Sequence, residues 1–196
     1  MRLEIKDLHV HYGKIEAIKG VSIVVNEGEI VTLIGANGAG KTTVFNIVTG
    51  YYTPVSGDVL VDGESVVGLR PYDIARKGLG RTFQNIRLFG DMTAVENVAT
   101  AADALNKSGL VGSLFGVPRS RRDEKEVMAK AQELLEFIGL DHRAHQMAKN
   151  LPYGDQRRLE IARALATDPQ LIALDEPAAG MNATEKDRKS TRLNSS

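Results

Sequence analysis

The first part of the chain has short apolar, β-branched runs separated by glycines and a turn, as in a series of β-strands. Short β-branched runs occur in LEIKDLHVHYG and VSIVVNEGEIVTLIG, broken by Gly13, Gly20 and the turn at residues 26–28, and predict three or four strands. TTVFNIVTG then predicts a short helix that ends at Gly50. Further strands are predicted in GDVLVDGE and LGRTFQN, with a short helix in RPYDIARKG between them.

From about Leu88 the spacing of apolar residues becomes that of helices. Thr93 and Glu96 have the spacing of a capping box, which opens a helix. The apolar side of that helix consists of Val95, Val98, Ala102 and Leu105. A second helix ends at Gly139 and has one apolar face, made by Val127, Ala131, Leu134, Leu135 and Ile138. Residues 88–150 are therefore predicted to form a helical insert.

Two segments follow the insert, one helical and one extended. Residues 151–165, LPYGDQRRLEIARAL, are typical of a capped surface helix, with Arg157, Arg158 and Arg163 on a solvated face. QLIALDEP then has a continuous apolar run, which is typical of a strand in a parallel sheet covered on both faces. The order of elements predicts the α/β class, with a core that carries a helical subdomain.

Composition limits the classes of function. The chain has 196 residues, enough for one domain with a subdomain, and 42% of them are hydrophobic. Basic and acidic residues number 25 each, so no charge excess indicates nucleic acid as a partner. The absence of cysteine excludes disulfides and thiol catalysis. The start, MRLEIKDLHVHYG, has charges where a signal peptide needs an apolar region, and no apolar run reaches roughly 18 residues, so we expect a chain that is neither secreted nor membrane-spanning by itself.

The last ten residues, DRKSTRLNSS, differ from the rest of the chain. They are polar and aperiodic, and a disordered end is the simplest interpretation. Codon by codon, they are also what a widely used short-read sequencing adapter encodes. We therefore expect residues 187–196 to be a cloning or assembly scar, and residues 1–186 to be a domain whose natural frame continues.

The strongest chemical signal is GANGAGKTT, which fits G-x-x-x-x-G-K-[ST] between the predicted strand IVTLI and a predicted helix. That context disfavours a purely structural glycine loop. Glycines let backbone N–H groups converge on a phosphate, and a helix start adds a partial charge of roughly +0.5. Lys41 would bridge phosphate oxygens and Thr42 would bind Mg²⁺, so ATP and Mg²⁺ are the predicted cofactors. The predicted nucleotide-binding residues here are Gly35, Ala36, Asn37, Gly38, Ala39, Gly40, Lys41, Thr42 and Thr43.

Two acids at the end of LIALDEP suit the same chemistry. Asp175 is expected to leave a buried strand and hold the Mg²⁺ water shell, as P-loop enzymes require. Glu176 would point elsewhere and polarise the attacking water. Acidic residues at the end of a strand often lie only in a surface turn. A P-loop earlier in the same chain favours a catalytic role for these two.

In this order, GANGAGKTT, RTFQN, LPYGDQRRLEIARAL and LIALDEP resemble the nucleotide-binding subunit of ATP-binding cassette (ABC) transporters. The resemblance covers residues 1–186. RTFQNIRLFGDMTAVENV and DEPAAGMN are most similar to the LivG-type ATPases of branched-chain amino acid importers. The resemblance implies a P-loop NTPase fold of the ABC type, with an amino-terminal antiparallel β subdomain and a helical insert.

The resemblance also implies residue roles. Tyr12 would stack on adenine, and Gln84 would touch Mg²⁺ or water and act in catalysis together with Lys41 and Glu176. The loop Pro152, Tyr153, Gly154 and Asp155 would close over the ATP of an opposite subunit. It departs from the common LSGGQ form, and Asp155 would either weaken closure or point away. Asn182 stands where the family usually has an aspartate, and the family's switch histidine has no counterpart in the sequence.

The implied partners are a second ABC ATPase subunit, identical or not, integral membrane permeases, and indirectly a substrate-binding protein. The chain would sit peripherally on the cytoplasmic face of the plasma (inner) membrane and bind no nucleic acid. GLVGSLFGV with PRSRR would pack on its own subdomain or contact a membrane subunit or lipid headgroups. The alternatives are a soluble ABC ATPase that acts on ribosomes or DNA, and a truncated product that binds nucleotide without turnover.

Overall fold

A computed structural model of the chain describes residues 2–104 and 121–176. These residues divide into two units, Met1–Arg81 and Thr82–Ser196. The elements in chain order are β1 (Leu3–Tyr12), β2 (Ile15–Val25), α1 (Lys41–Val48), β3 (Ser56–Val61), β4 (Glu64–Ser65), α2 (Pro71–Arg76), β5 (Leu79–Arg81), α3 (Ala94–Ala104), α4 (Arg121–Phe137), α5 (Tyr153–Ala166) and β6 (Leu171–Ala173). Several predictions fall outside the described residues, namely those on Leu105, GLVGSLFGV, most of PRSRR, Asn182 and the scar at residues 187–196.

The first unit is built on a four-stranded antiparallel sheet with the strand order β2-β1-β3-β4. In β1, Leu3 and Ile5 are buried, and a register shift between Ile5 and Leu8 keeps Leu8 and Val10 buried as well. The irregularity includes Asp7, whose φ is +45°. A bulge of this kind preserves the inward face of a strand when one residue is added. The predicted amino-terminal antiparallel β subdomain is therefore confirmed.

The predicted strand IVTLI is absent from the described structure. No strand is assigned between residues 26 and 40, and Ile30 and Ile34 are 77% and 89% exposed. Strands β1 to β4 pair only among themselves within their sheet. A parallel strand is stabilised by distant partners on its two edges, and its apolar sequence alone does not supply them. The prediction for residues 30–34 is therefore wrong, whereas the helix after the loop is confirmed as α1.

The second unit has a helical core. Helices α3 and α4 pack against each other and against α5, and their buried apolar residues form one cluster. Its fully buried members from these helices and the loop after α4 include Val98, Leu135, Leu140 and Leu159. Helix α4 ends at Phe137, and Gly139, two residues on, has φ +72°, while the Leu140 N–H donates to the Leu135 carbonyl, as in a Schellman cap. Leu159 belongs to α5, so α5 packs on the helices of the segment predicted as the helical insert.

The capping box at the start of α3 is confirmed. The Glu96 N–H donates to Thr93 Oγ1 at 3.3 Å, while Glu96 Oε2 accepts from the Thr93 N–H at 2.8 Å and from its hydroxyl at 2.7 Å. The backbone N–H of Thr93 holds the pKa of the Glu96 carboxyl below its ordinary value of 4.5. The helix start is therefore stabilised by a group that must be ionised.

We expect Thr93→Ala to lower the free energy of unfolding by about 1 kcal/mol at pH 7, because one capping interaction is lost. A carboxyl group whose pKa is lower in the folded state stabilises the fold at pH values above its unfolded-state pKa. This stabilisation is lost as the pH falls. The variant keeps the Thr93 N–H but loses the hydroxyl, the second cause of the lowered Glu96 pKa, so the difference between variant and wild type should shrink as pH falls below about 4.5. Urea unfolding at pH 7 and pH 4 measures it. Thr100→Ala, further along α3, is the control and should change stability by less than about 0.5 kcal/mol.

Candidate nucleotide-binding site

The P-loop of the first unit ends at the amino terminus of α1. Gly40 precedes the helix with φ +86°, and no side chain caps the helix start. A Cβ atom at this position would lie 3.0 Å from the carbonyl oxygen of Ala17 and 3.3 Å from Ile18. Only glycine combines this left-handed backbone with so close an approach. Gly40 therefore lets the loop turn into α1 directly against the backbone of Ala17.

Lys41 lies over this loop. Its Nζ donates to the carbonyl oxygens of Gly35 at 2.7 Å and Ala36 at 2.9 Å. The loop from Gly35 to Ala39 is exposed, so an anion can reach both the ammonium and the helix start. A helix start without a side-chain cap and an adjacent ammonium are the groups that bind phosphate. The residues present therefore fit the phosphates of a nucleotide.

The donor set also fits Mg²⁺. Thr42 lies in the first turn of α1, half-buried. Within residues 2–104 and 121–176, no group of three or more histidine, aspartate or glutamate side chains forms a protein metal cage. Mg²⁺ keeps several waters and binds through few protein oxygens together with phosphates, so a hydroxyl beside a phosphate loop suits it better than a cage would.

Tyr12, at the end of β1, lies beside α1. Its hydroxyl donates to Thr43 Oγ1 at 3.4 Å, and its ring meets Tyr52 edge-on with centroids 4.9 Å apart. The ring is 39% exposed, so part of its surface is open to a ligand. The structure thus brings Tyr12 to Thr43, the residue that follows Thr42. Tyr52 was missed by sequence reasoning, because nothing in YYTP distinguishes it from a turn residue.

Gln84, Asp175 and Glu176 belong to the second unit. Gln84 Nε2 donates to Glu176 Oε2 at 3.4 Å. Asp175 is 2% exposed, and its N–H donates to Thr82 Oγ1 at 3.3 Å, whereas the side chain of Glu176 is exposed. Glu176 has φ +49°, a conformation that costs a non-glycine residue roughly 1–2 kcal/mol. Strain of this kind concentrates at functional sites. The two acids thus occupy different environments, and Glu176 contacts Gln84.

The loop that resembles the signature sequence opens α5. Pro152 is the N-cap residue, and its carbonyl accepts from the N–H groups of Asp155 and Gln156, both at 2.9 Å. Pro152 and Tyr153 are exposed. The side chain of Asp155 is buried, and its carboxylate pairs with Arg158 and, at 3.3 Å, with Arg143. Of the two outcomes considered for Asp155, the structure has the carboxylate turned toward its own arginines.

We expect Asp155→Ala to lower the free energy of unfolding by about 1–3 kcal/mol, because Arg143 and Arg158 lose a shared partner. Both arginines are partly exposed, so water compensates in part. Guanidinium unfolding measures the loss. Asp141→Ala removes an exposed acid from the same region and should cost less than about 0.5 kcal/mol. Equal losses in both variants would refute a structural role for the Asp155 pairs.

The surface-helix interpretation is wrong for Arg157, which is 2% exposed. Its Nη1 donates to the Phe83 carbonyl at 2.5 Å and to Glu160 Oε2 at 2.8 Å, and its Nη2 donates to the Gln84 carbonyl. Glu160 Oε1 accepts from the Phe83 N–H at 3.0 Å. These partners compensate the burial of the two charges. Sequence reasoning missed both residues, although Arg and Glu three apart on a helix are a recognisable pair.

The comparison with known families decides the classification. The profile of the ABC transporter family matches residues 18–179. The chain belongs to the ABC transporter family. The resemblance inferred from the motifs is confirmed, and so is the ATPase class of this ABC chain.

The curated relatives are transporter subunits. The chain is 48% identical over 185 residues to BraF, the high-affinity branched-chain amino acid transport ATP-binding protein of Pseudomonas aeruginosa, covering 94% of this chain and 72% of BraF. It is 46% identical over 183 residues to LivG of Escherichia coli, which has the same description, covering 93% of this chain and 72% of LivG.

Solved structures agree with the ABC assignment. A nucleotide-free ATP-binding cassette from an ABC transporter has a TM-score of 0.81 and 31% identity, covering 98% of this chain and 76% of that chain. A dimeric ATP-binding cassette in a post-hydrolysis state, bound to ADP and Pi, has a TM-score of 0.79 and 27% identity, covering 97% and 81%. The predicted ABC-type α/β fold is confirmed. In the part of the chain that the structure describes, no helix has the length and apolar character needed to cross a bilayer.

Proposed function

We propose that this chain is the ATP-binding and ATP-hydrolysing subunit of a branched-chain amino acid importer. The observation that carries the proposal is 48% and 46% identity to BraF and LivG over more than nine-tenths of this chain, about 93–94%. Both proteins are described as ATP-binding subunits of high-affinity branched-chain amino acid transport. The cargo of the importer is therefore the part of the proposal that rests on relatives alone.

In the proposed mechanism, Lys41 exchanges the carbonyls of Gly35 and Ala36 for phosphate oxygens of ATP. Its present contacts, 2.7 and 2.9 Å long, support this, because they hold the ammonium at the loop. The N–H groups at the start of α1 add their partial positive charge. Tyr12, beside Thr43, offers a ring face to adenine.

The hydrolytic residues come from the ends of two segments of the second unit. Glu176 orients the attacking water and takes its proton, and Gln84, 3.4 Å away, holds the carboxylate in place. Thr42, Gln84 and Asp175 are the residues that would hold Mg²⁺, which neutralises charge on the phosphates when it is bound. Asp175, two residues beyond β6, is buried, and carboxylate oxygens are ligands that Mg²⁺ prefers.

The exposed turn Pro152–Asp155 is proposed to bind the γ-phosphate of ATP held by a second ATPase subunit. The dimeric cassette with ADP and Pi, to which this chain is similar, supports such a dimer. Pro152 and Tyr153 are exposed at the start of a 14-residue helix, α5, and the N–H groups of Tyr153 and Gly154 in its first turn are the ones proposed to bind the anion. The Asp155 carboxylate does not oppose this, because it is paired with arginines.

The remaining partners follow from the class of transporter. Integral membrane permeases would convert ATP-driven closure into import, and a substrate-binding protein would act through them. This arrangement requires the chain to lie peripherally on the cytoplasmic face of the membrane. Mg²⁺, the identity of the sister ATPase and this location are all parts of the proposal.

Deletion of the gene in its native organism tests the proposal. We expect uptake of radiolabelled leucine, isoleucine and valine at low external concentration to fall strongly, while uptake of lysine, the control cargo, is unchanged. The tagged native protein should copurify with integral membrane subunits. Unchanged leucine uptake, or copurification with ribosomes or DNA, would replace the importer with the soluble alternative.

A further inference from the structure

We propose that Arg157 is a positioning residue that fixes the backbone at Gln84 and thereby directs the Gln84 side chain to Glu176. This inference rests on the proposed role of Gln84 in ATP hydrolysis. It assigns a function to a side chain of α5 that lies outside the P-loop, the acidic pair and the exposed turn.

The guanidinium of Arg157 binds two adjacent backbone carbonyls. Arg157 donates to the adjacent carbonyls of Phe83 and Gln84, through Nη1 at 2.5 Å and through Nη2. Glu160 accepts from Arg157 at 2.8 Å and from the Phe83 N–H at 3.0 Å. Two side chains one turn apart on α5 therefore hold three backbone groups of residues 83–84.

Burial protects the hydrogen bonds of Arg157 and Glu160 from water. Arg157 and Glu160 are 2% and 5% exposed, so their hydrogen bonds are not exchanged for water. A buried ion pair adds little net stability compared with a well-packed apolar pair, because desolvation offsets the attraction. What an apolar pair cannot do is fix the direction of two carbonyl groups. The pair therefore fixes the direction of the backbone groups of residues 83–84, the segment that carries the Gln84 side chain.

Arg157 lies between two candidate functional groups. On one side, the fixed segment carries Gln84, whose amide meets Glu176 at 3.4 Å. On the other side, the guanidinium carbon lies 6.0 Å from the centroid of the Tyr153 ring, which is 47% exposed at the turn. A continuous set of contacts thus runs from the exposed turn through Arg157 to Glu176. A contact path proves coupling only when mutations along it are shown to interact.

A double-mutant cycle provides that test. Arg157→Lys keeps a positive charge for Glu160, but a single ammonium cannot replace the planar fork that reaches two carbonyls. In the native protein, we expect Arg157→Lys to lower kcat about tenfold, while the Kd for ATP changes less than about threefold. In a Gln84→Ala background, the same substitution should lower kcat less than about twofold, because its effect passes through Gln84.

Arg163→Lys is the matched control, since Arg163 also lies on α5 and donates to a backbone carbonyl, that of Arg87. Whatever effect it has on kcat should multiply with that of Gln84→Ala. If Arg157→Lys multiplies in the same way, the positioning role is refuted while the role of Gln84 stands. If Gln84→Ala alone leaves kcat unchanged, the proposed role of Gln84 fails and the positioning role fails with it.

Glu160→Gln keeps the inference testable should Arg157→Lys unfold. The amide oxygen of the new side chain can still accept from the Phe83 N–H, whereas the charge beside Arg157 is lost. We expect a kcat loss that is again absent in the Gln84→Ala background. A loss of equal size in both backgrounds would contradict the proposal.

Discussion

Lys41→Ala is expected to abolish detectable ATP binding. The ammonium now donates to two loop carbonyls, at 2.7 and 2.9 Å, so it is already held where phosphate oxygens would replace them. Hydrogen bonds between charged groups contribute about 1.5–3 kcal/mol each, and Lys41 can make at least two to a triphosphate. We therefore expect the Kd for ATP to rise by a factor of about 100 or more, as measured by titration calorimetry.

Lys19→Ala is the control for this loss, because it removes the same charge from an exposed site. Lys19 lies on β2, its side chain is 74% exposed, and its ammonium lies 3.9 Å from Glu16. Its Kd for ATP should stay within about twofold of wild type. A Lys41→Ala variant that binds ATP as well as Lys19→Ala would remove the P-loop from the site.

Glu176→Gln is expected to keep ATP binding and lose turnover. Glutamine has the shape of glutamate but cannot take a proton, so the general-base contribution of about 10²–10⁴-fold in rate disappears. The variant should accumulate ATP-bound closed dimers, since hydrolysis is what reopens them in the proposed cycle. Single-turnover hydrolysis by the variant and by the wild-type protein measures the loss of rate. Gel filtration with ATP measures the fraction of each protein that is dimeric.

The conformation of Glu176 makes this substitution selective. Its φ of +49° is equally unfavourable for glutamine, so backbone strain is the same in both chains. Glu136→Gln, on the exposed side of α4, is the control and should leave turnover at the wild-type rate. Wild-type turnover in Glu176→Gln itself would exclude Glu176 as the base.

The parts of the fold that the sequence predicts correctly depend on local interactions. The capping box at Thr93, the end of α4 just before Gly139 and the helix after the P-loop each need only neighbouring residues. The strand predicted at residues 30–34 is absent, because a parallel strand needs partners distant in sequence. The apolar pattern indicates which segments are suited to burial, but it does not identify the strands with which they would pair.

The candidate site divides in the same way. Lys41 and its loop are recognisable from spacing, because one short segment supplies all the groups. The burial of Arg157 is not, since a charge on a helix is usually solvated and its carbonyl partners lie 73 and 74 residues earlier. The orientation of Asp155 depends on Arg143, which precedes it in a separate turn. Groups assembled by tertiary contacts therefore had to be seen in the structure.

The central claim is that ATP is held between the P-loop of one ATPase subunit and the turn Pro152–Asp155 of another. Because this chain has no cysteine, Tyr153→Cys introduces a single thiol at that turn. The second subunit, an identical copy or a different chain, would carry one cysteine in its P-loop, at Asn37 in the case of a copy. With an added thiol oxidant, copper–phenanthroline, we predict an intersubunit disulfide that forms only with ATP. Bound ATP without any such cross-link, or a cross-link of equal yield without ATP, would contradict the account.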